Sequence, residues 1–254
     1  MAFNPLVEGS SPSRPSISSA SRSRRVHSSQ TGPHPRLEAL VQRHRLSRWQ
    51  GPIHPGSRAA FADFLAGYCC DRSLVLDSCC GTGVSSAQLG RLFPEADVVG
   101  IDQSRHRLAR APNQLPGNVR LFRARAQDFW RLLLAEKIRP ELHFLLYPNP
   151  WPKPAQLGRR WHGHPVFPDL LRLGGRIELR SNWAIYTGEF SHAAHCCGVA
   201  TSAMVSFSCI KPLSPFEKKY ADSGHELFRL TVSAAPWSSK DPQRAPNPTE
   251  ESNE

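Results

Sequence analysis

The sequence has little negative charge and no long hydrophobic run. Its 254 residues include 32 Lys and Arg against 21 Asp and Glu, which gives a formal net charge of +11. An enzyme that acts on small molecules gains little from so large a positive charge, so the charge indicates a polyanionic partner such as nucleic acid. The longest apolar runs have the length of a strand, well short of the roughly 18 residues of a membrane-spanning helix. We therefore expect no membrane segment.

The cysteines lack the spacing of metal or disulfide sites. Seven occur, as three adjacent pairs and one single residue: Cys69–Cys70, Cys79–Cys80, Cys196–Cys197 and Cys209. None forms a C-x-x-C pair, and adjacent cysteines seldom bind one tetrahedral metal. His162 and His164 stand two residues apart with no third ligand nearby in the sequence. We predict reduced cysteines and no metal site.

The strongest motif is an apolar strand that runs into a glycine turn. Leu74–Leu76 predicts a buried parallel strand that ends in the acid Asp77. Gly81 and Gly83 then permit a tight turn with close approach of the backbone, and Val84–Phe93 has the spacing of a helix. This strand, turn and helix predict a nucleotide-binding loop.

A second strand supplies the acid that such a loop needs. Asp97–Ile101 predicts a strand that ends in Asp102, about 20 residues past the glycines, where a carboxylate can accept hydrogen bonds from ribose hydroxyls. The third glycine of the dinucleotide fingerprint is absent, because Ser86 stands there. Asp77 favours S-adenosylmethionine instead, since a carboxylate near the turn can meet the methionine ammonium group that dinucleotides lack. We predict S-adenosylmethionine as the cofactor.

The rest of the chain alternates strands and helices between two polar ends. Residues 1–35 contain ten serines and five prolines but one acid, and they predict a disordered basic arm. An organelle transit peptide has similar composition, but no amphipathic stripe is evident here. A domain over residues 36–236 and a disordered tail over residues 237–254 follow. The patterns predict strands at 74–76, 97–102, 119–124, 142–147, 176–180, 201–210 and 225–233, and helices at 84–93, 104–110, 129–138, 166–173 and 183–197.

This order is typical of an α/β fold with a Rossmann-like, mostly parallel sheet and helices on both faces. The last two strands, joined through residues 211–224, predict an antiparallel closing pair. The carboxyl ends of parallel strands are where ligands bind in such sheets. The fourth strand runs directly into Tyr147–Pro154, a rigid loop with four prolines that can hold Asn149 and Trp151 in fixed orientation. Arg159, Arg160 and Trp161 follow, and they suit phosphate contact and base stacking.

Together these segments resemble the tRNA (guanine-N7)-methyltransferase family over roughly residues 70–232. The resemblance rests on the glycine loop, Gly100-Ile101-Asp102, P-N-P-W-P-K at 148–153, S-N-W-A-I-Y at 181–186, and S-P-F-E-K-K at 214–219. It implies a class I methyltransferase fold, S-adenosylmethionine, a tRNA partner and a bacterial cytoplasmic protein, as a monomer or homodimer. In that family the loop after strand four begins D-P-W-P-K, a later strand ends in T-D, and the late segment reads T-x-F-E. This chain instead has Asn149, Asn182 and Ser214.

The resemblance also implies roles for individual residues. For catalysis these are Asn149, Tyr186 and Glu217; for the cofactor they are Asp77, Gly81, Gly83, Asp102, Ala126, Asp128 and Asn149; for the substrate they are Trp151, Lys153, Arg159, Arg160, Asn182, Ser214 and Glu217. Two alternatives stay open. Asn149-Pro150-Trp151 also resembles the N-P-P-aromatic loop of exocyclic amino methyltransferases, and the loss of two carboxylates is compatible with a paralog that binds RNA or cofactor without turnover.

Overall fold

We describe residues 23–234 of the chain in a computed structural model. Residues 1–22 and the predicted tail at 237–254 lie outside these residues. The helices are α1 (Leu37–Leu46), α2 (Pro55–Ala66), α3 (Val84–Leu92), α4 (Arg105–Leu108), α5 (Ala126–Ala135), α6 (Phe167–Arg172), α7 (Ala184–Cys196) and α8 (Pro215–Asp222). Two 3-10 helices, Pro154–Arg159 and Trp161–Gly163, lie before α6. Within the described part of the chain, no helix is long and apolar enough to cross a membrane.

The strands form one twisted sheet. They are β1 (Leu74–Ser78), β2 (Asp97–Asp102), β3 (Val119–Arg123), β4 (Leu142–Leu146), β5 (Gly175–Ser181), β6 (Ala200–Thr201), β7 (Val205–Phe207) and β8 (Leu227–Ala234). Their order is β3-β2-β1-β4-β5-β8-β6, and β7 also pairs with β8. Strands β1 to β5 are parallel, whereas β8 runs antiparallel to β5. The predicted mostly parallel α/β sheet with an antiparallel closing strand is confirmed.

Alternating side chains of the strands build a core on each face of the sheet. In β1, Leu74 and Leu76 pack on the face covered by α1, α2, α5, α6 and α7, while Val75 packs on the face covered by α3. Helix α5 contributes Phe129 and Leu133 to the first core, and α3 contributes Leu89 to the second. Because both faces of the sheet centre are covered, β1 and β4 are buried along their whole length, whereas β5 alternates buried Ile177 and Leu179 with Glu178 and Arg180.

The structure differs from the predicted elements in one strand and in three helices. The strand predicted over 201–210 is split into β6 and β7, because Ser202 leaves the regular ladder and exchanges hydrogen bonds with Thr231: its amide donates to the Thr231 carbonyl and its hydroxyl accepts from the Thr231 amide. Helices α1, α2 and α8 were not predicted. Two of the three start with a proline at the first helical position, where an amide hydrogen would have no partner within the helix.

Candidate functional site

The glycine turn lies at the carboxyl end of β1. Gly81 and Gly83 have φ values of +63° and +73°, and Cys79 between β1 and the turn has +63°. A Cβ atom at Gly83 would stand 2.5 Å from Leu121 Cδ1, so any side chain would clash with β3. The Cys80 amide donates to the Ile101 carbonyl at 3.0 Å, which ties the turn to β2. The turn is therefore held at the carboxyl end of β1, with both glycines in the left-handed conformation that a tight turn requires.

Asp77 is buried beneath this turn with half of its carboxylate unpaired. Its Oδ2 accepts hydrogen bonds from the Ser85 and Ser86 hydroxyls at 2.6 and 2.7 Å, while Oδ1 has no partner. Burial raises the pKa of Asp77 to about 6, and the two serine hydrogen bonds oppose that rise. A buried acceptor without a donor is costly. The site thus fits the cationic ammonium of S-adenosylmethionine, which would supply the missing charge.

Asp102 ends β2 beside the same turn. Its Oδ2 accepts from the Gly81 amide at 3.0 Å and from Arg107 Nη1 at 3.2 Å, and its Oδ1 accepts from the Ser104 amide at 2.8 Å. Only 3% of its surface is exposed. The carboxylate is therefore fixed at the edge where ribose hydroxyls bind in folds of this class. Arg107 was not singled out in the sequence, which gave no signal that it pairs with Asp102.

The predicted adenine-side residues begin α5. Ala126 is its first residue and is buried, and Asp128 lies in its first turn. The Asp128 Oδ2 accepts a hydrogen bond from the His54 amide at 3.1 Å, which joins the start of α2 to α5. This contact gives Asp128 a structural role, and contact with an adenine ring stays a prediction for both residues.

The proline-rich loop leaves β4 next to the glycine turn. Strand β4 pairs with β1, with Leu145 opposite Ser78, and the strand order reverses between these two strands. This reversal is the switch point where open α/β sheets bind ligands. Tyr147 and Trp151 adopt positive φ values of +53° and +46°, an unfavourable conformation for side-chain-bearing residues that clusters at functional sites. Asn149 between them is exposed at this edge.

Arg159 and Arg160 have opposite environments, although the sequence predicts phosphate contacts for both. Arg159 is exposed and lies over the Trp151 ring, with 4.8 Å from Cζ to the ring centroid. Arg160 is 0% exposed: it forms an ion pair with Glu189 and donates to the Trp151 carbonyl at 3.1 Å. The prediction for Arg160 is wrong, because its guanidinium is buried and paired with Glu189. Lys153 and Arg159 remain available for phosphates, and Lys153 is exposed.

Glu189 is the centre of a buried polar cluster that the sequence analysis missed. Its Oε2 accepts from Arg160 and from His162 Nε2, at 2.8 Å for the histidine, and its Oε1 accepts from the Gln30 side chain and the His34 amide at 2.5 and 2.8 Å. Burial alone would raise the pKa of Glu189, but His162 and Arg160 outweigh it and lower the pKa to about 2. Burial lowers the pKa of His162, and the hydrogen bond and charge of Glu189 oppose that change. The available signal was that Glu189 is the single acid of helix α7.

This cluster anchors an N-terminal segment, residues 23–36, that crosses the same sheet edge. The Ser28 hydroxyl donates to the Pro152 carbonyl at 2.6 Å, and the Ser23 amide donates to the Ser223 hydroxyl at 2.9 Å. His225 Nε2 contacts the Ser23 carbonyl at 3.0 Å. The packed part of the chain therefore begins earlier than residue 36, the boundary that composition predicts, since polar side chains of 23–35 find partners on distant elements.

Two residues predicted to orient the base are buried in structural contacts. Tyr186 is 1% exposed, and its hydroxyl accepts from the Trp161 amide at 3.2 Å. Glu217 is 0% exposed; it accepts from Arg180 at 2.7 Å and from the Leu213 amide at 3.0 Å. Neither side chain can reach a base in this arrangement, so the structure does not support direct contact of either residue with the substrate.

Ser214 and Asn182 also make contacts within the protein. The Ser214 hydroxyl accepts from the Glu217 amide at 3.1 Å and caps α8, which accounts for the S-P-F-E segment without a substrate. The substrate role predicted for Ser214 is therefore corrected. Asn182 directly follows β5 and contacts His225 Nδ1 at 3.0 Å, while remaining half-buried at the edge. Of the predicted substrate residues, Trp151, Lys153, Arg159 and Asn182 keep an accessible position, and so does Asn149, which is predicted for catalysis and the cofactor.

Comparisons with known proteins agree with this arrangement. A family model described as "Putative methyltransferase" matches residues 71–230. The chain is similar to a tRNA (guanine-N(7)-)-methyltransferase of Nitrosococcus oceani, at 29% identity over 59% of this chain and 66% of the relative. A tRNA (guanine-N(7)-)-methyltransferase of Treponema pallidum is 27% identical over 65% of this chain and 70% of the relative. The chain thus spans about two thirds of the length of these curated relatives.

The fold also has solved counterparts. The structure of a 16S rRNA (adenine(1408)-N(1))-methyltransferase from Catenulisporales acidiphilia, solved with its cosubstrate SAM, superimposes with a TM-score of 0.50 at 13% identity, covering 75% of this chain and 98% of that chain. This likeness shows the class I methyltransferase fold. With the family match over residues 71–230, the chain belongs to the tRNA (guanine-N7)-methyltransferase family of class I S-adenosylmethionine-dependent methyltransferases.

Proposed function

We propose that the protein transfers the methyl group of S-adenosylmethionine to N7 of a guanine in tRNA. The observation that carries the proposal is the placement of the N-P-W-P-K loop beside the glycine turn, at the switch point between β1 and β4, in a chain whose family match covers both. The family and the named relatives support the substrate, because two of those relatives carry this activity in their names.

The residues present fit the cofactor. The unpaired oxygen of Asp77 would accept from the methionine ammonium, and the fixed carboxylate of Asp102 would accept from the ribose. When bound, S-adenosylmethionine supplies an electrophilic methyl group on a sulfonium. Gly81 and Gly83 leave room for its approach to the backbone, and Ala126 and Asp128 border the side assigned to the adenine.

The substrate side needs little chemistry from the protein. Guanine N7 has a free lone pair, so no proton is removed before it attacks a methyl group, and no general base is required. Holding donor and acceptor in line is worth about 7 to 11 kcal/mol. Asn149 is the exposed side chain closest in sequence to β4 that can do this, because its amide can donate a hydrogen bond to guanine O6 beside N7. Trp151 and Arg159 are placed to stack on and neutralise the RNA, with Lys153 and Asn182 nearby.

The test is transfer of a labelled methyl group to unmodified tRNA by the full-length protein, followed by nucleoside mass analysis. We expect 7-methylguanosine, which becomes labile to alkaline ring opening because the methylated base is cationic. An amino-methylated nucleoside would instead support the alternative that the amide of Asn149 favours. Cofactor binding with no methylated product from tRNA would reject the proposal.

Two further parts of the proposal concern the setting of the reaction. We propose a cytoplasmic protein, supported by its tRNA-modifying bacterial relatives, that acts as a monomer or homodimer. Fractionation of expressing cells and light scattering of the purified protein test these two points separately.

A further inference from the structure

A basic surface lies at the same sheet edge as the N-P-W-P-K loop, but on the other side of the glycine turn. We define the α4 patch as Arg105, Arg110, Arg123 and Arg125, which are all exposed. Arg105 begins α4 and Arg110 follows its end, while Arg123 ends β3 and Arg125 immediately precedes α5. None of these guanidinium groups forms an ion pair with a described residue, whereas their neighbour Arg107 is paired with Asp102.

The fold brings these arginines to one place although they are spread over 21 residues. Strand β3 pairs in parallel with β2, with Arg123 opposite Asp102, so α4 and the end of β3 emerge from adjacent strands at the same edge. The Arg125 amide donates to the Ser57 hydroxyl at 3.1 Å, which fixes this end of the patch against α2. Among residues 23–234, the only side-chain hydrogen bond of the patch runs from Arg123 Nε to the Gln103 carbonyl, at 3.4 Å. Four cations thus lie at neighbouring element ends, and none of them forms an ion pair with a carboxylate of the described residues.

The four positive charges repel one another in the isolated protein. Binding of a negatively charged partner would relieve this repulsion. The patch is on the edge that carries the glycine turn and the N-P-W-P-K loop. Strands in a sheet lie about 4.8 Å apart, and β3 is three strand spacings from β4, so the patch is about 14 Å from the loop across the sheet. A nucleic-acid strand whose base reaches that loop can therefore place its phosphates on the patch.

We propose that the α4 patch binds the sugar–phosphate backbone of the RNA substrate, on the far side of the cofactor from the Arg159 contact. The proposal rests on the proposed function for the identity of the RNA. Phosphate contacts by arginine set orientation without reading sequence. Two basic contacts on either side of the cofactor would hold the RNA across the site, so that the base between them is presented to Asn149.

The test uses the full-length protein and compares two variants of equal charge change. Arg105→Glu/Arg110→Glu alters the patch, and Arg139→Glu/Arg176→Glu alters two exposed arginines near the amino ends of β4 and β5, at the opposite sheet edge. Binding of unmodified tRNA is followed by fluorescence anisotropy from 50 to 200 mM salt with S-adenosylhomocysteine present. Calorimetric binding of S-adenosylhomocysteine to each variant checks that the cofactor pocket is intact.

We expect the patch variant to bind tRNA at least tenfold more weakly at low salt, and its log–log salt slope to fall by about 1.5, because each lost phosphate contact contributes roughly 0.7 to 0.9. The control variant keeps at least half of the wild-type affinity. Equal affinities of the two variants, or no tRNA binding by the wild-type protein, would overturn the proposal. Since the assay needs no turnover, patch-dependent binding without 7-methylguanosine would reject only the proposed reaction.

Discussion

Asp77 has a carboxylate that is harder to ionise in the folded protein than in water. Its pKa is raised by burial to about 6 from 3.8, so between these values the folded state binds a proton that the unfolded state has released. The free energy of unfolding therefore falls as pH rises through this window, by up to about 3 kcal/mol. Above about pH 6, Asp77 is ionised and can pair with the methionine ammonium group, but its buried charge then lowers the stability of the cofactor-free protein.

We expect Asp77→Asn to raise the melting temperature of the cofactor-free protein at pH 7.5 while weakening S-adenosylmethionine binding at least tenfold. The amide keeps an acceptor for Ser85 and Ser86 and removes the buried charge. Differential scanning fluorimetry and calorimetric titration give the two readouts. The stability gain should shrink at pH 5, where the wild-type carboxyl is protonated; an equal gain at both pH values would show that charge is not its cause.

Asp102 is the second residue whose charge we expect to matter for the cofactor. Asp102→Ala removes the acceptor for ribose hydroxyls, and we expect weaker S-adenosylmethionine binding by about 1.5 to 3 kcal/mol through lost charge-assisted hydrogen bonds. Titration calorimetry measures it. Asp102→Asn is the matched control, because it retains an acceptor for the Gly81 or Ser104 amide. Unchanged affinity in the alanine variant would remove Asp102 from the cofactor site.

At the scale of elements, the Glu189 cluster joins the N-terminal segment, the 3-10 helices and α7. An ion pair that is fully buried on both sides is costly to break, since the remaining charge loses its partner. The low pKa of Glu189 means that the cluster stabilises the fold above about pH 4.5, and that this contribution is lost as pH falls toward 2.

The two neighbouring arginines give a sharp test of this view. Arg160→Ala should lower the free energy of unfolding by about 3 to 5 kcal/mol, because it leaves Glu189 buried with one charge uncompensated. Arg159→Ala should change stability by less than about 0.5 kcal/mol and weaken tRNA binding instead. Urea denaturation and anisotropy separate the two effects. Equal stability of both variants would contradict the assignment of Arg160 to the interior.

The N-terminus of α8 offers a further prediction at this scale. Ser214→Ala removes the hydroxyl that caps the helix, and we expect a loss of about 1 kcal/mol in the free energy of unfolding. The rate of methyl transfer to tRNA below the unfolding temperature should stay within twofold of the wild-type rate. A rate loss of a hundredfold with normal stability would restore Ser214 to the substrate site that the family resemblance implies.

Most strands and helices could be predicted from the sequence, whereas the roles of individual polar residues could be predicted only in part. The strands from β1 to β5 follow from apolar runs of strand length, and the glycine turn follows from residues that tolerate positive φ. In contrast, Tyr186, Glu217 and Arg160 are polar residues in motifs, and sequence spacing does not reveal whether a polar group finds its partner inside the protein. The split of the predicted strand at Ser202 likewise depends on Thr231, a residue on β8.

At the scale of the whole molecule, the arginines near the start of the chain lie mostly after residue 22 and contribute to the net charge of +11. The first 50 residues contain eight arginines against two acids, but residues 1–22 contain only Arg14 and Arg22 against Glu8. Most of that positive charge is therefore on described residues of the N-terminal segment and α1. The positive charge of the first 50 residues is consequently carried by residues 23–50 more than by residues 1–22.

We expect deletion of residues 1–22 to leave the salt dependence of tRNA binding almost unchanged. Arg24→Glu/Arg25→Glu, which alters two exposed arginines of the N-terminal segment, should lower the slope by more than 1 in the full-length protein. Anisotropy titrations at several salt concentrations measure both. A large loss of slope on deletion alone would show that the first 22 residues contact RNA directly.

The amino-acid sequence alone predicts the order of the five parallel strands, the glycine turn flanked by Asp77 and Asp102, and the surplus of positive charge. These properties are local: they follow from side-chain periodicity, from the φ values that glycine permits and from counting charges. Which polar residues stay accessible depends on contacts between distant elements, which only the folded chain makes. Arg159 and Arg160 differ by one position, yet one is exposed and the other is bound to Glu189, because exposure is set by elements that meet only after the chain has folded.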